Sequence, residues 1–356
     1  MSQKITSLQQ KSITLLKQLI STQSFSREEE WTRDILLSFF RKEGVEFQVL
    51  KNNVWTKNKY FSPSKPTILL NSHHDTVKPN KGYTRDPFEP SVEGDILYGL
   101  GSNDAGGCLV SLIATFLYYY DKEDLPYNII FAASAEEEIS GKGGIELLYP
   151  HLGDLSFAIV GEPTLMDAAI AEKGLMVVDC LVEGRAGHAA RNEGLNALYL
   201  AIEDIAWIKE YSFPKVSPYL GPTIMTVTIA NAGTQHNVVP KECSYTIDVR
   251  LTENYTHEEV IEFLQTKLHA KKVIPRSCRL RPSFISEDHP IVQAAIKHGA
   301  KTYGSPTTSD QSLLPIPSLK MGPGDSARSH TADEFIYISE IEQGIEKYIQ
   351  IVGELM

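Results

Sequence analysis

Three short runs constrain this chain most: Pro66–Asn71, Tyr127–Ala133 and Leu155–Val160 are apolar along nearly their whole length rather than at alternate positions. A strand with one wet face alternates polar and apolar residues, whereas a strand covered on both faces does not need to. Between the first two runs lies Gly106–Tyr120 (GGCLVSLIATFLYYY), long and apolar enough for a buried crossover helix. A βαβ layout with a mainly parallel sheet covered by helices follows. Ahead of it, Ile5 to Ile20 and Trp31 to Phe39 carry apolar residues at helical spacing.

After about residue 173 the pattern changes. Leu175–Glu183, Thr223–Ile229 and Ser244–Arg250 alternate, Asn196–Tyr211 and His257–Ala270 are amphipathic, and a last strand is expected near Ser277–Arg281. This βαββαβ order is that of a ferredoxin-like domain. Beyond Pro282 the buried style returns, with a helix expected over Ile291–Tyr303, a strand over Pro317–Met321 and a closing helix over Ser339–Glu354. The expected organisation is one α/β domain built from residues 1–173 and 284–356, with residues 174–283 inserted as a smaller domain.

Composition narrows the function classes. The 34 Lys plus Arg against 45 Asp plus Glu leave a net charge of −11, which disfavours nucleic acid and anionic membrane as partners. There is no run of 18 apolar residues, and the N-terminus lacks an apolar stretch with a small-residue cleavage site, so a cytoplasmic protein is expected. Cys108, Cys180, Cys243 and Cys278 show neither CxxC nor CxH spacing. Any metal is therefore expected on His and carboxylates.

Those residue types gather where the apolar runs end, the edge at which open α/β sheets place ligands. The first run leads into Ser72-His73-His74-Asp75, where His73 and Asp75 share a face and His74 points the other way. Asp75 is placed to orient a metal-bound His73, although a plain polar loop reads the same way. Asp104 stands just before the apolar helix, as its N-cap, as a ligand, or as both, since a carboxylate can cap and bind metal through different oxygens. The second run ends in Glu136-Glu137-Glu138, a solvated acidic loop or a cation site; the third ends in Gly161-Glu162. A later His330 completes a donor set suited to zinc, with Mn2+ or Co2+ competing for it.

The stretches Ser72–Val77, Gly99–Gly107, Glu136–Gly144, Gly161–Thr164, Gly184–His188, Asn237–Pro240, Asp248–Arg250 and Gly322–His330 together resemble the zinc amidohydrolases that include acetylornithine deacetylase and succinyl-diaminopimelate desuccinylase. The resemblance covers nearly the whole chain and implies a zinc-exopeptidase-like fold with a lid domain that also forms a homodimer. It implies two Zn2+ per subunit, with Asp104 bridging, His73 and Glu162 on one ion, and Glu138 and His330 on the other. Glu137 would be the general base, Asp75 would orient His73, and His188 would reach the partner subunit's site. Arg250, Asn237 and Gly324 would contact substrate.

The implied reaction is hydrolysis of an N-acyl amino acid, such as N-acetylornithine or a related acetyl or succinyl derivative of ornithine, citrulline or lysine, in arginine or lysine biosynthesis. Succinyl-diaminopimelate desuccinylase and metallo-dipeptidase or carboxypeptidase are the alternatives within that chemistry; a non-catalytic zinc-binding dimer is the alternative outside it. Leu100 and Gly106 depart from the Arg and Lys of many relatives, and His188-Ala189 lacks their Pro, which bears on substrate choice.

Overall fold

The computed structural model describes residues 3–191 and 193–356. The chain forms two compact units, one of residues up to Ile170 with Phe284–Tyr303 and Ser309–Met356, the other of Ala171–Ser283 with Gly304–Thr308.

In the first unit, helices α1 (Gln3–Ile20) and α2 (Glu30–Lys42) precede strands β1 (Asn53–Lys57) and β2 (Thr67–His73). Helix α3 (Gly107–Tyr119) crosses to β3 (Asn128–Ser134), followed by β4 (Phe157–Gly161) and β5 (Ala168–Glu172). The central order is β1-β3-β2-β4, with β2 parallel to both β3 and β4 and β1 antiparallel at the side.

Every residue of β2, β3 and β4 is buried, which explains their lack of alternation. Leu69, Ile130 and Ala158 pack with Trp55, Ile145 and Leu148 on one face. On the other, Phe131 meets Phe40 and Phe116, the latter from α3. Burying side chains of this size stabilises by about 1.5–3 kcal/mol each.

The second unit holds β6 (Gly174–Glu183), α4 (Ala197–Glu210), β7 (Ile224–Ala232), β8 (Glu242–Leu251), α5 (His257–Lys267) and β9 (Lys272–Pro275). Its antiparallel sheet runs β7-β8-β6-β9, the ferredoxin-like arrangement. The last strand lies earlier than the expected Ser277–Arg281, because Val273 fills the core while Pro275 ends the ladder. Only Leu280 of the expected segment bridges, to Leu175.

Back in the first unit are α6 (Pro290–Lys297), β10 (Ser318–Met321) and α7 (Ile338–Gly353). Helix α6 stops well short of the expected Tyr303, since Gly299 turns left-handed at φ +87° and the chain continues into a strand over Thr302–Ser305. Strand β10 joins the sheet parallel to β4. Four parallel strands, β3, β2, β4 and β10, thus send their C-terminal ends to one edge.

Candidate metal centre

At that edge His73 ends β2, buried to 1% exposure. Its Nδ1 lies 2.9 Å from the backbone carbonyl of Asp75, the arrangement in which Nδ1–H donates and Nε2 keeps its lone pair. Nε2 faces Asp104 Oδ1 at 3.3 Å, Glu162 Oε1 at 3.8 Å and Glu137 Oε2 at 3.9 Å. The next residue takes the other side: His74 Nε2 is 2.9 Å from the Asn52 carbonyl, its Nδ1 is 3.0 Å from the Thr32 hydroxyl, and burial pushes its pKa down to about 4.

Asp104 does not cap the helix. It sits within a wide turn, Ser102–Gly106, with non-helical φ −116° and ψ 99°, and α3 begins only at Gly107. Its two oxygens divide between histidines, Oδ1 toward His73 and Oδ2 toward His330 Nε2 at 3.6 Å. His330 Nε2 also approaches Glu138 Oε2 at 2.9 Å, and that carboxylate raises the imidazole to about 9.

The three consecutive glutamates part company. Glu136 is left-handed at φ 56°, and its carboxylate turns back to accept the Gly143 N–H at 3.2 Å. A Cβ at Gly141 would run into the Cβ and carboxylate of Glu136, and one at Gly143 would displace that carboxylate. Glu137 and Glu138 follow in one tight turn and aim at His73 and His330 respectively.

Among the described residues, the ligand atoms of His73, Asp104 and Glu138 lie within 4.8 Å of one another, as do those of His73, Glu137 and Glu162. Burial and the facing Glu162 raise Glu137 well above the ordinary carboxylate range, and burial raises Glu162 to about 8. Glu162 Oε1 is buried without a hydrogen-bond partner. His73 and Lys320 are the positive groups that act on this carboxyl, neither of them hydrogen-bonded to that oxygen, and a cation at this position would satisfy it. The donor set of nitrogen and carboxylate oxygen, without thiolate, fits such an ion.

Several supporting contacts are legible only in the structure. Glu334, buried to 1% exposure, accepts the N–H groups of Gly101, Asn103 and Asp104 at 3.1, 2.9 and 2.9 Å and so shapes the turn that presents Asp104. Asn103 clasps the loop after β10, accepting the Asp325 N–H at 3.0 Å. Gly324 in that loop is left-handed at φ +89°, and a Cβ there would press on the Asn103 side chain. Asn103, Gly324 and Glu334 lie in or beside the stretches that carry the resemblance, but no periodicity or spacing marks which groups they bond.

In the second unit His188 is exposed, with Nδ1 accepting the Ala190 N–H at 3.2 Å. Its loop bridges Val238, and Ala189 N–H donates to the Asn237 carbonyl at 3.1 Å, which brings His188 and Asn237 together. Arg250 is elsewhere. Asn237 precedes the start of β8 and Arg250 is near its end, so the two are separated by roughly 25 Å of extended chain. Arg250 pairs with Asp248 at 2.8 Å.

A profile of the peptidase family M20/M25/M40 matches residues 69–354. The chain belongs to that family. It is accordingly a metal-dependent hydrolase of amide bonds. A relative, the [LysW]-lysine/[LysW]-ornithine hydrolase of Sulfurisphaera tokodaii, is 28% identical over 357 residues, covering 96% of this chain and 94% of that protein. Among solved structures, aminopeptidase PepT from Bacillus cereus superposes with a TM-score of 0.75 at 19% identity, covering 98% of each chain. The Bacillus subtilis YXEP protein, described as a dinuclear metal-binding peptidase of the M20 family, gives 0.72 at 15% identity, covering 98% of this chain and 99% of that one. At such identities these structures speak for the fold.

Proposed function

We propose that this protein is a two-zinc deacylase that hydrolyses an N-acyl amino acid of the ornithine or lysine type to the free amino acid and a carboxylate. The observation that carries this reading is Asp104, whose oxygens face His73 on one side and His330 on the other. On this reading Asp104 would be shared by two ions, with His73 and Glu162 holding one and Glu138 and His330 the other. Co2+ or Mn2+ would fit the same donors. When bound, the ions polarise the amide carbonyl and bring the pKa of the attacking water toward about 7.

The rest is the chain's own work. Glu137, which faces the same side of His73 as Glu162, takes a proton from the attacking water at its carboxylate and passes it to the leaving amine nitrogen. Asp75 holds the turn beneath Glu137 and sets the ring of His73.

The substrate class rests on the relative's name, which pairs hydrolysis with lysine and ornithine. That pairing favours a role in arginine or lysine biosynthesis, in the cytoplasm. Gly324, beside the Asp104 turn, would border the substrate, and Arg250 would hold its carboxylate.

Homodimerisation through the second unit completes the proposal. β7 is an edge strand with Ile224 44% and Ile229 48% exposed, and α4 of the same unit exposes Tyr199 and Ile202. An open edge beside apolar side chains is a surface that pairing with a second copy would cover. His188 and Asn237 would then serve the partner's site, where the imidazole would support the developing oxyanion.

The test is metal content by elemental analysis with hydrolysis of N-acetylornithine, N-acetylcitrulline, N-succinylcitrulline, succinyl-diaminopimelate and a dipeptide. Chelator-sensitive cleavage of an acylated amino acid with two zinc ions per chain is expected. Cleavage of the dipeptide alone would replace the deacylase reading with a peptidase.

A further inference from the structure

Four consecutive amide N–H groups leave the end of β3, and each is taken by a side-chain oxygen. Ala135 N–H donates to Asn53 Oδ1 at 3.0 Å, Glu136 N–H to Glu29 Oε1 at 3.1 Å, Glu137 N–H to Asp75 Oδ1 at 3.0 Å and Glu138 N–H to Asp75 Oδ2 at 3.2 Å. A run of amides in a tight turn cannot all find backbone acceptors, so side chains from distant parts of the chain supply them.

Glu29 is the unexpected member. It lies at the N-terminal boundary of α2, where an acidic residue ordinarily accepts from its own helix, yet its carboxylate makes no such bond. It is fully buried and turned inward instead. Besides Glu136 it accepts the Arg27 N–H at 2.7 Å and Asn52 Nδ2 at 2.7 Å. The carbonyl of that same Asn52 takes His74 Nε2 at 2.9 Å, so one carboxylate ties together the chain ends beyond β2 and β3.

The bond to Glu136 falls where it matters most for aim. Glu136 is left-handed at φ 56° and Ser140 at φ 46°, conformations that residues with a Cβ adopt only when their surroundings hold them. Between them the chain makes the turn that carries Glu137 and Glu138. We propose that Glu29 is a positioning residue, whose carboxylate locks the backbone at Glu136 so that the next two side chains project toward His73 and His330. This rests on the reading of Glu138 as a ligand and Glu137 as the base.

The experiment compares the full-length chain with Glu29→Ala, Glu29→Gln and the exposed neighbour control Glu30→Ala. Three readouts are taken: amide hydrogen exchange over residues 135–140 of the metal-free protein, zinc affinity by competition with a chelator, and kcat and KM on N-acetylornithine with zinc loaded. For Glu29→Ala, exchange over 135–138 is expected to quicken roughly tenfold. Zinc affinity and kcat should each fall about 10–100-fold, with KM within about twofold. Glu29→Gln, which keeps the size and one acceptor oxygen, should fall between, and Glu30→Ala should match the parent.

A folded Glu29→Ala with unchanged exchange and unchanged zinc affinity overturns the proposal. Should Glu29→Ala not fold, Glu29→Gln carries the same comparison. Should the parent protein cleave none of the acylated amino acids named above, the functional reading fails by itself, while exchange and zinc affinity still decide the role of Glu29.

Discussion

The carboxylate of Asp75 accepts the amide N–H of Glu137 at 3.0 Å, although 62 residues separate them in the chain. Asp75 follows β2 and Glu137 follows β3, and the parallel pairing of His73 with Ser134 brings the two strand ends side by side. Ser26 donates a further hydrogen bond to Asp75 at 2.7 Å, and its carboxyl is held below the ordinary range by His73.

Replacing that acceptor is therefore expected to disturb the centre without touching a ligand atom. Asp75→Asn puts an amide donor against the N–H groups of Glu137 and Glu138. Activity or zinc affinity should fall about 10–100-fold. Dialysis against chelator followed by elemental analysis, alongside steady-state rates, checks it.

Glu137→Gln keeps the shape of the side chain and removes its proton acceptor. Turnover should fall by about 10²–10⁴, the usual worth of general acid–base catalysis, while both metal ions stay bound. Unchanged turnover would place the base elsewhere.

His74 gives a pH prediction of known sign. Its native pKa is about 4, below the ordinary 6.5, so above pH 6.5 it is neutral in both folded and unfolded chains. As pH falls from 6.5 toward 4 the unfolded chain takes up a proton that the folded one refuses, and stability drops by about 1.4 kcal/mol per pH unit from this group. His74→Gln should flatten that part of the profile, read from denaturant unfolding of the metal-free protein at pH 7 and pH 5.

The edge strand supplies a test of assembly. Ile229→Lys places a charge on the exposed row of β7 and should shift a dimer toward monomer by an order of magnitude or more in dissociation constant. Sedimentation across a concentration series reads it. A monomeric parent protein would remove the dimer from the proposal.

In the core, Leu70 is fully buried within β2, three residues before His73. Leu70→Ala should cost about 2–5 kcal/mol through lost burial and the cavity left behind. Denaturant midpoints measure it.

The sequence by itself marked the central strands of the sheet, the insert and a set of His and carboxylate residues at the strand ends. Unbroken apolar runs announced β2, β3 and β4 because strands covered on both faces need no alternation, and period-two patterns announced the ferredoxin-like insert. His73, Asp104, the Glu136–Glu138 triplet, Glu162 and His330 stood out because ionisable groups at the ends of apolar strands have few innocent reasons to be there. Where local signals conflicted, the tertiary structure decided. Asp104 looked like a helix cap, yet Glu334, 230 residues away, takes its N–H and holds it in an extended turn. Three identical glutamates carry no mark of which one faces the centre; Glu29, Asn53 and Asp75 choose by the backbone hydrogen bonds they accept. Such choices depend on groups brought together only by sheet pairing, and a single chain read in order contains no trace of that proximity.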